Sequence, residues 1–124
     1  MEREKDEVTL DVLQTKTRRI ESELENERKS LRNYNEIQDN LDSLTKRLNN
    51  CYDLFRTSMK GPSVDDELED MENANITFHK NARNYLENCI NATTKKIETF
   101  NQEKEELQKK AKALSDQDNY SKEE

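Results

Sequence analysis

The chain has 124 residues but only one glycine and one proline, and these stand side by side as Gly61 and Pro62. Both residue types disfavour the interior of an α-helix, glycine because of its conformational entropy and proline because its ring removes an N–H donor and clashes with the preceding turn. Everything on either side of this pair is therefore free to be helical. The pair predicts two long helices joined by one turn.

The composition favours helices over a globular core or disorder. Charged residues make up 40% of the chain and hydrophobic residues 30%, whereas a globular domain is nearer one half apolar. Disordered chains are usually enriched in proline and glycine, which this chain nearly lacks. We therefore expect an all-α fold, a long antiparallel helical hairpin of coiled-coil character.

Apolar side chains follow a helical period in both halves. In the first half they recur in steps of 3 and 4, the heptad pattern of coiled coils, at Tyr34, Ile37, Leu41, Leu44, Leu48, Cys51 and Phe55. In the second half a first seam runs over Val64, Leu68, Met71, Asn75, Phe78, Ala82, Tyr85 and Cys89. A second seam, one position later, runs from Leu86 to Leu114 and includes Lys104. The polar residues Asn75 and Lys104 interrupt these seams.

The predicted boundaries follow from the seams and the glycine–proline pair. We expect a flexible N-terminus at 1–6, a first helix at 7–60, a turn at 61–63, a second helix at 64–114 and a disordered tail at 115–124. A left-handed Gly61 would end the first helix. Ser63 would cap the second helix, whose dipole favours the acidic residues that follow.

A hairpin folded at this turn places residue n opposite roughly residue 123 − n. Two helices alone bury little surface for a chain of this length, so we expect a partner helix or a second copy of the chain to complete a bundle. A homodimer is thus one alternative. The predicted interface residues are Tyr34, Ile37, Leu41, Leu44, Leu48, Tyr52, Phe55, Phe78, Tyr85, Ile97 and Phe100.

Candidate chemical groups are few. Cys51 and Cys89 lie on the seams and are interpreted as buried structural thiols, too far apart in the hairpin for a disulfide. His79 is the only histidine and has no nucleophile at helical spacing, so it is interpreted as a solvated or half-buried helix residue. We expect no enzyme activity, catalytic residue, metal or cofactor.

Charge and hydropathy limit the partners and the location. The net charge is −7, whereas binding to nucleic acid needs a cationic surface. No apolar run approaches the length of a membrane span, and the N-terminus lacks the apolar segment of a secretory leader. The sequence therefore predicts a cytoplasmic protein with protein partners, without nucleic acid binding or membrane insertion.

The turn residues carry a resemblance to a known family. Two long helices around Met59-Lys60-Gly61 resemble the WXG/ESX superfamily of bacterial type VII secretion, with Met59 where the family motif has tryptophan. In composition and arm length the chain is more similar to the YwqH-like accessory proteins encoded beside LXG toxins. The resemblance implies a non-enzymatic, chaperone-like partner or targeting factor for a secretion substrate such as an LXG toxin.

The C-terminal residues extend this resemblance. Tyr120 and Glu124 match the Tyr-x-x-x-Asp/Glu export signal that this superfamily carries after its second helix, which implies export without a secretory leader. The competing hypothesis is a structural coiled-coil subunit of a cytoskeletal, kinetochore or tethering assembly, since long charged heptads are equally typical of such proteins.

Overall fold

A computed structural model describes residues 9–59 and 61–123, with side chains as far as residue 117. Two helices, α1 (Leu10–Ser58) and α2 (Pro62–Glu123), account for nearly all of this part of the chain. The helices pack against each other, and the described residues contain no strand. The predicted all-α helical hairpin is confirmed.

The start of α1 is fixed by Thr9. The Leu13 amide donates to the Thr9 carbonyl over 3.1 Å, and the Val12 amide donates to Thr9 Oγ1 over 3.3 Å. These contacts satisfy two of the amides that a helix start leaves without partners, and threonine is a favoured residue for this role. Helix α1 therefore begins at Leu10 and not at residue 7 as predicted.

The turn differs from the prediction in its capping residue. The Asp65 amide donates to the Gly61 carbonyl over 3.0 Å, which makes Gly61 the N-cap of α2 and places Pro62 at the first helical position, where proline is favoured. Gly61 does not have a positive φ. The predicted left-handed Gly61 and the predicted cap at Ser63 are both wrong, because the helix begins one residue after the glycine and includes Ser63.

Helix α2 extends further than the apolar period of the sequence predicts. It continues through residues 115–123, which were expected to be disordered. The apolar period stops at Leu114, but no glycine or proline follows it to end the helix. The predicted flexible residues 1–6 and the last residue, Glu124, lie outside the described residues.

The helix pair divides into two compact units, which are described separately. The terminal unit combines Met1–Ser30 with Thr93–Glu124. Among its described residues, Leu13 and Leu24 of α1 are almost completely buried, and Thr93 of α2 is buried as well. Two ion pairs join the helices here, Lys104–Glu21 at 3.4 Å and Lys96–Glu27 at 4.0 Å.

The turn unit, Leu31–Ala92, contains the turn and the adjoining halves of both helices. Its buried apolar side chains are Tyr52, Leu68 and Leu86. Next to them, Arg56 of α1 forms an ion pair and hydrogen bond with Glu72 of α2. The pKa of the Arg56 guanidinium is raised, first by the hydrogen bond to Glu72 and, more weakly, by the charges of Glu72, Asp53 and Asp65. The last turn of α1 is thus held beside α2.

Replacing Gly61 with serine tests its role as N-cap. We expect Gly61→Ser to stabilise the fold by about 0.5–1 kcal/mol, because a serine hydroxyl can accept a helix amide and the unfolded chain loses entropy. A Cβ added at Gly61 would meet nothing within 4 Å. Urea unfolding measures the change, with Gly61→Ala as the variant that lacks the capping oxygen. A loss of about 1 kcal/mol or more in both variants would instead indicate a left-handed glycine.

Candidate helix-packing surface

Part of the predicted interface is used within the chain itself. Tyr52 is only 6% exposed and therefore packs between the helices, so its assignment to an interface with a partner is wrong. The other predicted residues on this inner side are half-buried: Tyr34, Leu41, Leu48, Ile97 and Phe100. The helices of the hairpin thus cover one side of each predicted seam.

The other side of the seams in the turn unit remains exposed. Leu44 is 48% exposed and Phe78 is 64% exposed, and the flanking seam positions on both helices are exposed to a similar extent. We define the exposed stripe as Ile37, Leu44 and Cys51 of α1 with Met71, Phe78 and Tyr85 of α2. On each helix these residues recur every seven positions, which keeps them on one face.

The two rows of the exposed stripe lie opposite each other. The contacts Arg56–Glu72 and His79–Asp42 set the register of the helices. In this register Leu44 is level with Phe78, and both line one crevice together with Leu41 and Leu48. By the same register, Ile37 is level with Tyr85 and Cys51 with Met71. The stripe therefore has three successive apolar layers, each with one residue from each helix.

Polar contacts between the helices explain the polar seam residues. Asn75 donates a hydrogen bond to the hydroxyl of the buried Tyr52, and Lys104 pairs with Glu21. Each residue that interrupts the apolar pattern thus has a partner on the other helix, as a half-buried polar group requires. The sequence pattern identified these two positions as polar interruptions of the apolar seams but did not identify their partners.

A charged cluster on the turn unit was not predicted. His79 lies 3.1 Å from Asp42, and Arg83 lies 3.7 Å from the same carboxylate oxygen. His79 is half-buried, as expected from the sequence. The seven-residue period could not reveal this cluster because Asp42 lies beside the apolar seam. Its partners are identified only by the register of the two helices.

The two cysteines differ in their environments, and both are free. Cys51 is exposed on the stripe, so the interpretation of a buried thiol is wrong there, because the hairpin covers the opposite side of the seam. Cys89 is half-buried and forms a hydrogen bond with Tyr85. The pKa of Tyr85 is raised, first by the charge of the Cys89 thiolate, then by this hydrogen bond and by Tyr34.

The residues of the family resemblance occupy different parts of the chain. Met59 is exposed at the end of α1, and Gly61 and Pro62 begin α2 as described above. Tyr120 lies in the last turns of α2, where only the backbone is described. Glu124, the other half of the predicted export signal, lies outside the described residues, so the structure does not test this signal.

The described residues show neither a metal-binding group nor a membrane-spanning helix. The described residues hold no group of three or more histidine, cysteine, aspartate or glutamate side chains that could bind a metal. Neither described helix is long and apolar enough to cross a membrane. Comparison with known proteins found no matching family model, no matching curated protein and no matching solved structure.

The raised pKa of Tyr85 predicts a pH effect that depends on Cys89. Because the folded state raises this pKa above its ordinary value of 10.0, the neutral phenol stabilises the fold at lower pH, and this contribution is lost as pH rises through the folded pKa. We expect Cys89→Ala to lower the titration midpoint of Tyr85. Tyrosinate absorbance, compared with a Tyr85→Phe variant, measures it. An unchanged midpoint in Cys89→Ala would contradict the role of the thiolate.

Proposed function

We propose that this chain is a non-enzymatic helical protein that forms a bundle with the helices of another molecule. The observation that carries the proposal is the exposed stripe. Isolated exposed apolar residues are common on protein surfaces, but a contiguous apolar patch marks an interaction site. The stripe repeats every seven residues on both helices, the spacing with which a further helix packs knobs into holes.

The distribution of apolar residues supports this proposal. Large apolar side chains that are exposed outnumber buried ones among the described residues, and most of the exposed ones belong to the turn unit. Covering them would gain roughly 25 cal/mol for each Å² of apolar surface removed from water. In the hairpin alone this apolar surface stays in contact with water, whereas a bundle with a partner removes it from water and gains this free energy.

We propose that this partner belongs to bacterial type VII secretion, an LXG toxin or a related small helical protein, with the present chain as its chaperone-like accessory factor. This setting is supported by the resemblance at Met59 and Gly61, in a turn between two long helices, and by Tyr120 near the end of α2. In this proposal the bundle forms in the cytoplasm and the residues after 117 are available to the secretion machinery.

A second candidate is a structural coiled-coil subunit of a larger assembly, and the helix lengths favour it. Helices of 49 and 62 residues greatly exceed the three to four turns of an average globular helix. The genes beside that of this chain distinguish the two candidates. A neighbouring gene for an LXG toxin or a secretion ATPase supports the first, and a eukaryotic setting without either excludes it.

Co-expression with the neighbouring toxin tests the exposed stripe. We expect a tagged chain to capture the toxin, and Leu44→Glu with Phe78→Glu to abolish capture, since buried unpaired carboxylates are strongly unfavourable. Leu10→Glu is the matched control: Leu10 is 37% exposed but belongs to the terminal unit and lies outside the exposed stripe. Equal capture by all variants would contradict the proposal.

Light scattering on the isolated chain distinguishes a second copy from a different partner. A dimeric mass that becomes monomeric in the Leu44→Glu and Phe78→Glu variant, and not in Leu10→Glu, would identify the second copy as the molecule on the stripe.

Deletion of residues 118–124 tests the export signal separately. We expect the deletion to leave the purified complex with the toxin intact, because it removes no residue of the exposed stripe. Secretion of the toxin into the medium should fall by about tenfold or more, a loss that corresponds to roughly 1.4 kcal/mol of binding to the secretion machinery. A Tyr120→Ala variant should reproduce this effect. Unchanged secretion in both variants would remove the role proposed for the tail.

A further inference from the structure

The exposed stripe is bordered on its outer side by a further row of residues on each helix. Seam residues three positions before or four after a stripe residue face into the hairpin and are half-buried, as are Leu41, Leu48, Asn75 and Ala82. Residues four positions before or three after a stripe residue therefore lie on the other side of the stripe, away from the neighbouring helix. They are exposed, and we call them the outer flank: Asn33, Asn40 and Arg47 of α1 with Ala74, Asn81 and Asn88 of α2.

The stripe and its outer flank carry almost no charge. Of their twelve positions only Arg47 is charged, whereas 40% of all residues in the chain are charged. The paired residues Asp42 and Arg83 lie two and five positions from Leu44 and Phe78, which places them about 140° to 160° around their helices from the stripe. Depletion of charged residues is typical of the centre of a protein interface.

An uncharged face favours one kind of occupant. A partner recognised through opposite charge would need charged residues along the stripe, and these are missing. The chain itself has a net charge of −7, so two copies repel each other over most of their surfaces. They approach each other most favourably through a face without like charges, which the stripe and its outer flank provide.

The outer flanks of the two helices also match each other in height. Leu44 is level with Phe78 and the helices run in opposite directions, so Asn40, four residues before Leu44, lies within about 1.5 Å of the height of Asn81, three residues after Phe78. Asn33 and Asn88 are each one heptad further along and have the same relation. The side-chain amides of these four asparagines form no hydrogen bond with another described residue. Within one chain they lie on opposite edges of the helix pair and cannot meet.

We infer that the molecule on the stripe is a second copy of this chain, related to the first by a two-fold axis along the length of the turn unit. Helix α1 of each copy then packs on α2 of the other, and every helix of the four-helix bundle has antiparallel neighbours. Leu44 contacts Phe78 of the second copy, and Asn40 lies beside its Asn81. Each asparagine amide has a donor and an acceptor, so two of them satisfy each other. The two-fold axis repeats each contact.

A two-fold axis across the helices fits these residues less well. It would place each helix on its own counterpart, with Leu44 on Leu44 and Phe78 on Phe78 of the second copy. Asn81 would then lie beside Ala74, which leaves its covered amide without the partner that a buried polar group needs. Only the axis along the turn unit pairs asparagine with asparagine. Paired asparagines at helix interfaces specify the register and the partner.

The matched region has a definite end. Near the turn, Leu54 is level with Glu67 by the same register, an unfavourable pair. The inferred interface therefore covers residues 33–51 of α1 and 71–88 of α2. The inference rests on the proposed function, in which the stripe packs on helices of another molecule. A secretion substrate would then bind the assembled dimer.

Charge substitutions at one asparagine pair test the inference on the full chain. Asn40→Asp with Asn81→Asp places like charges side by side between the copies and should weaken dimerisation at least tenfold. Asn40→Asp with Asn81→Lys places opposite charges there and should restore the dimer. Sedimentation equilibrium measures the dissociation constants. The matched control is Asn35→Asp with Asn73→Asp, which should leave the dimer unchanged, because both residues are exposed but lie two positions from a stripe residue, on the far side of each helix.

Crosslinking between two different chains tests the direction of the axis. One chain carries Asn40→Cys and the other, with a tag that changes its size, carries Asn81→Cys, both in a background of Cys51→Ala and Cys89→Ala. A short bismaleimide should join the two chains in a mixture, as seen by denaturing electrophoresis. Neither chain alone should be joined to its own copy, because identical helices lie diagonally across the bundle. This experiment needs no charged variant to fold.

Several results would overturn the inference. A monomeric wild-type chain would do so, as would equal dissociation constants for the Asp–Asp and Asp–Lys variants while circular dichroism shows both to be helical. A dimer that gives no crosslink in the mixture would reject the axis along the turn unit. Toxin capture by a monomeric chain would reject this inference alone. Dimerisation as expected, without toxin capture, would reject the secretion setting alone.

Discussion

The structure depends on one geometric limit. The apolar seam of each helix is wide enough to contact two neighbouring helices, but the hairpin supplies only one neighbour and therefore covers only one side of the seam. In the turn unit, Leu41 and Leu48 are turned into the hairpin, whereas Leu44, at an intermediate position on the same helix, is exposed. Residues three or four positions apart are neighbours on a helix surface but differ in direction by 40° to 60°. A single neighbouring helix cannot bury all of them, so the remaining rows form a second surface.

This limit also explains why polar contacts matter within the hairpin. Few apolar side chains are buried in either unit, and apolar contacts alone specify the relative position of two helices weakly. The hydrogen bond from Asn75 to Tyr52 and the contact of His79 with Asp42 each have one favourable register. A shift by one heptad would leave half-buried polar groups without partners, at a cost of about 1–3 kcal/mol for each group. The polar residues therefore define the alignment that places the exposed rows side by side.

Most of the fold could be predicted from the sequence, because glycine and proline occur at one place only and the apolar period is long. The predicted register also holds: the observed pairs lie close to the expected relation between residue n and residue 123 − n, as with Asp42 and His79. The details that failed depend on local geometry. Whether Gly61 or Ser63 caps α2 depends on single backbone angles, and which rows of a seam face inward depends on the rotation of each helix about its axis. The spacing of apolar residues along the sequence determines neither these backbone angles nor this rotation.

The corrected start of α2 changes the interpretation of its acidic residues. With Ser63 as the cap, Asp66 and Glu67 would belong to the first turn and the helix dipole would explain them. With Gly61 as the cap, both lie beyond that turn, and Glu69 and Asp70 lie further still. The dipole interaction amounts to about 0.3–1 kcal/mol even at the terminus, so it cannot offset several like-charge pairs in the second and third turns. A shift of two residues in the helix cap therefore removes the helix dipole as the explanation of this acidic cluster.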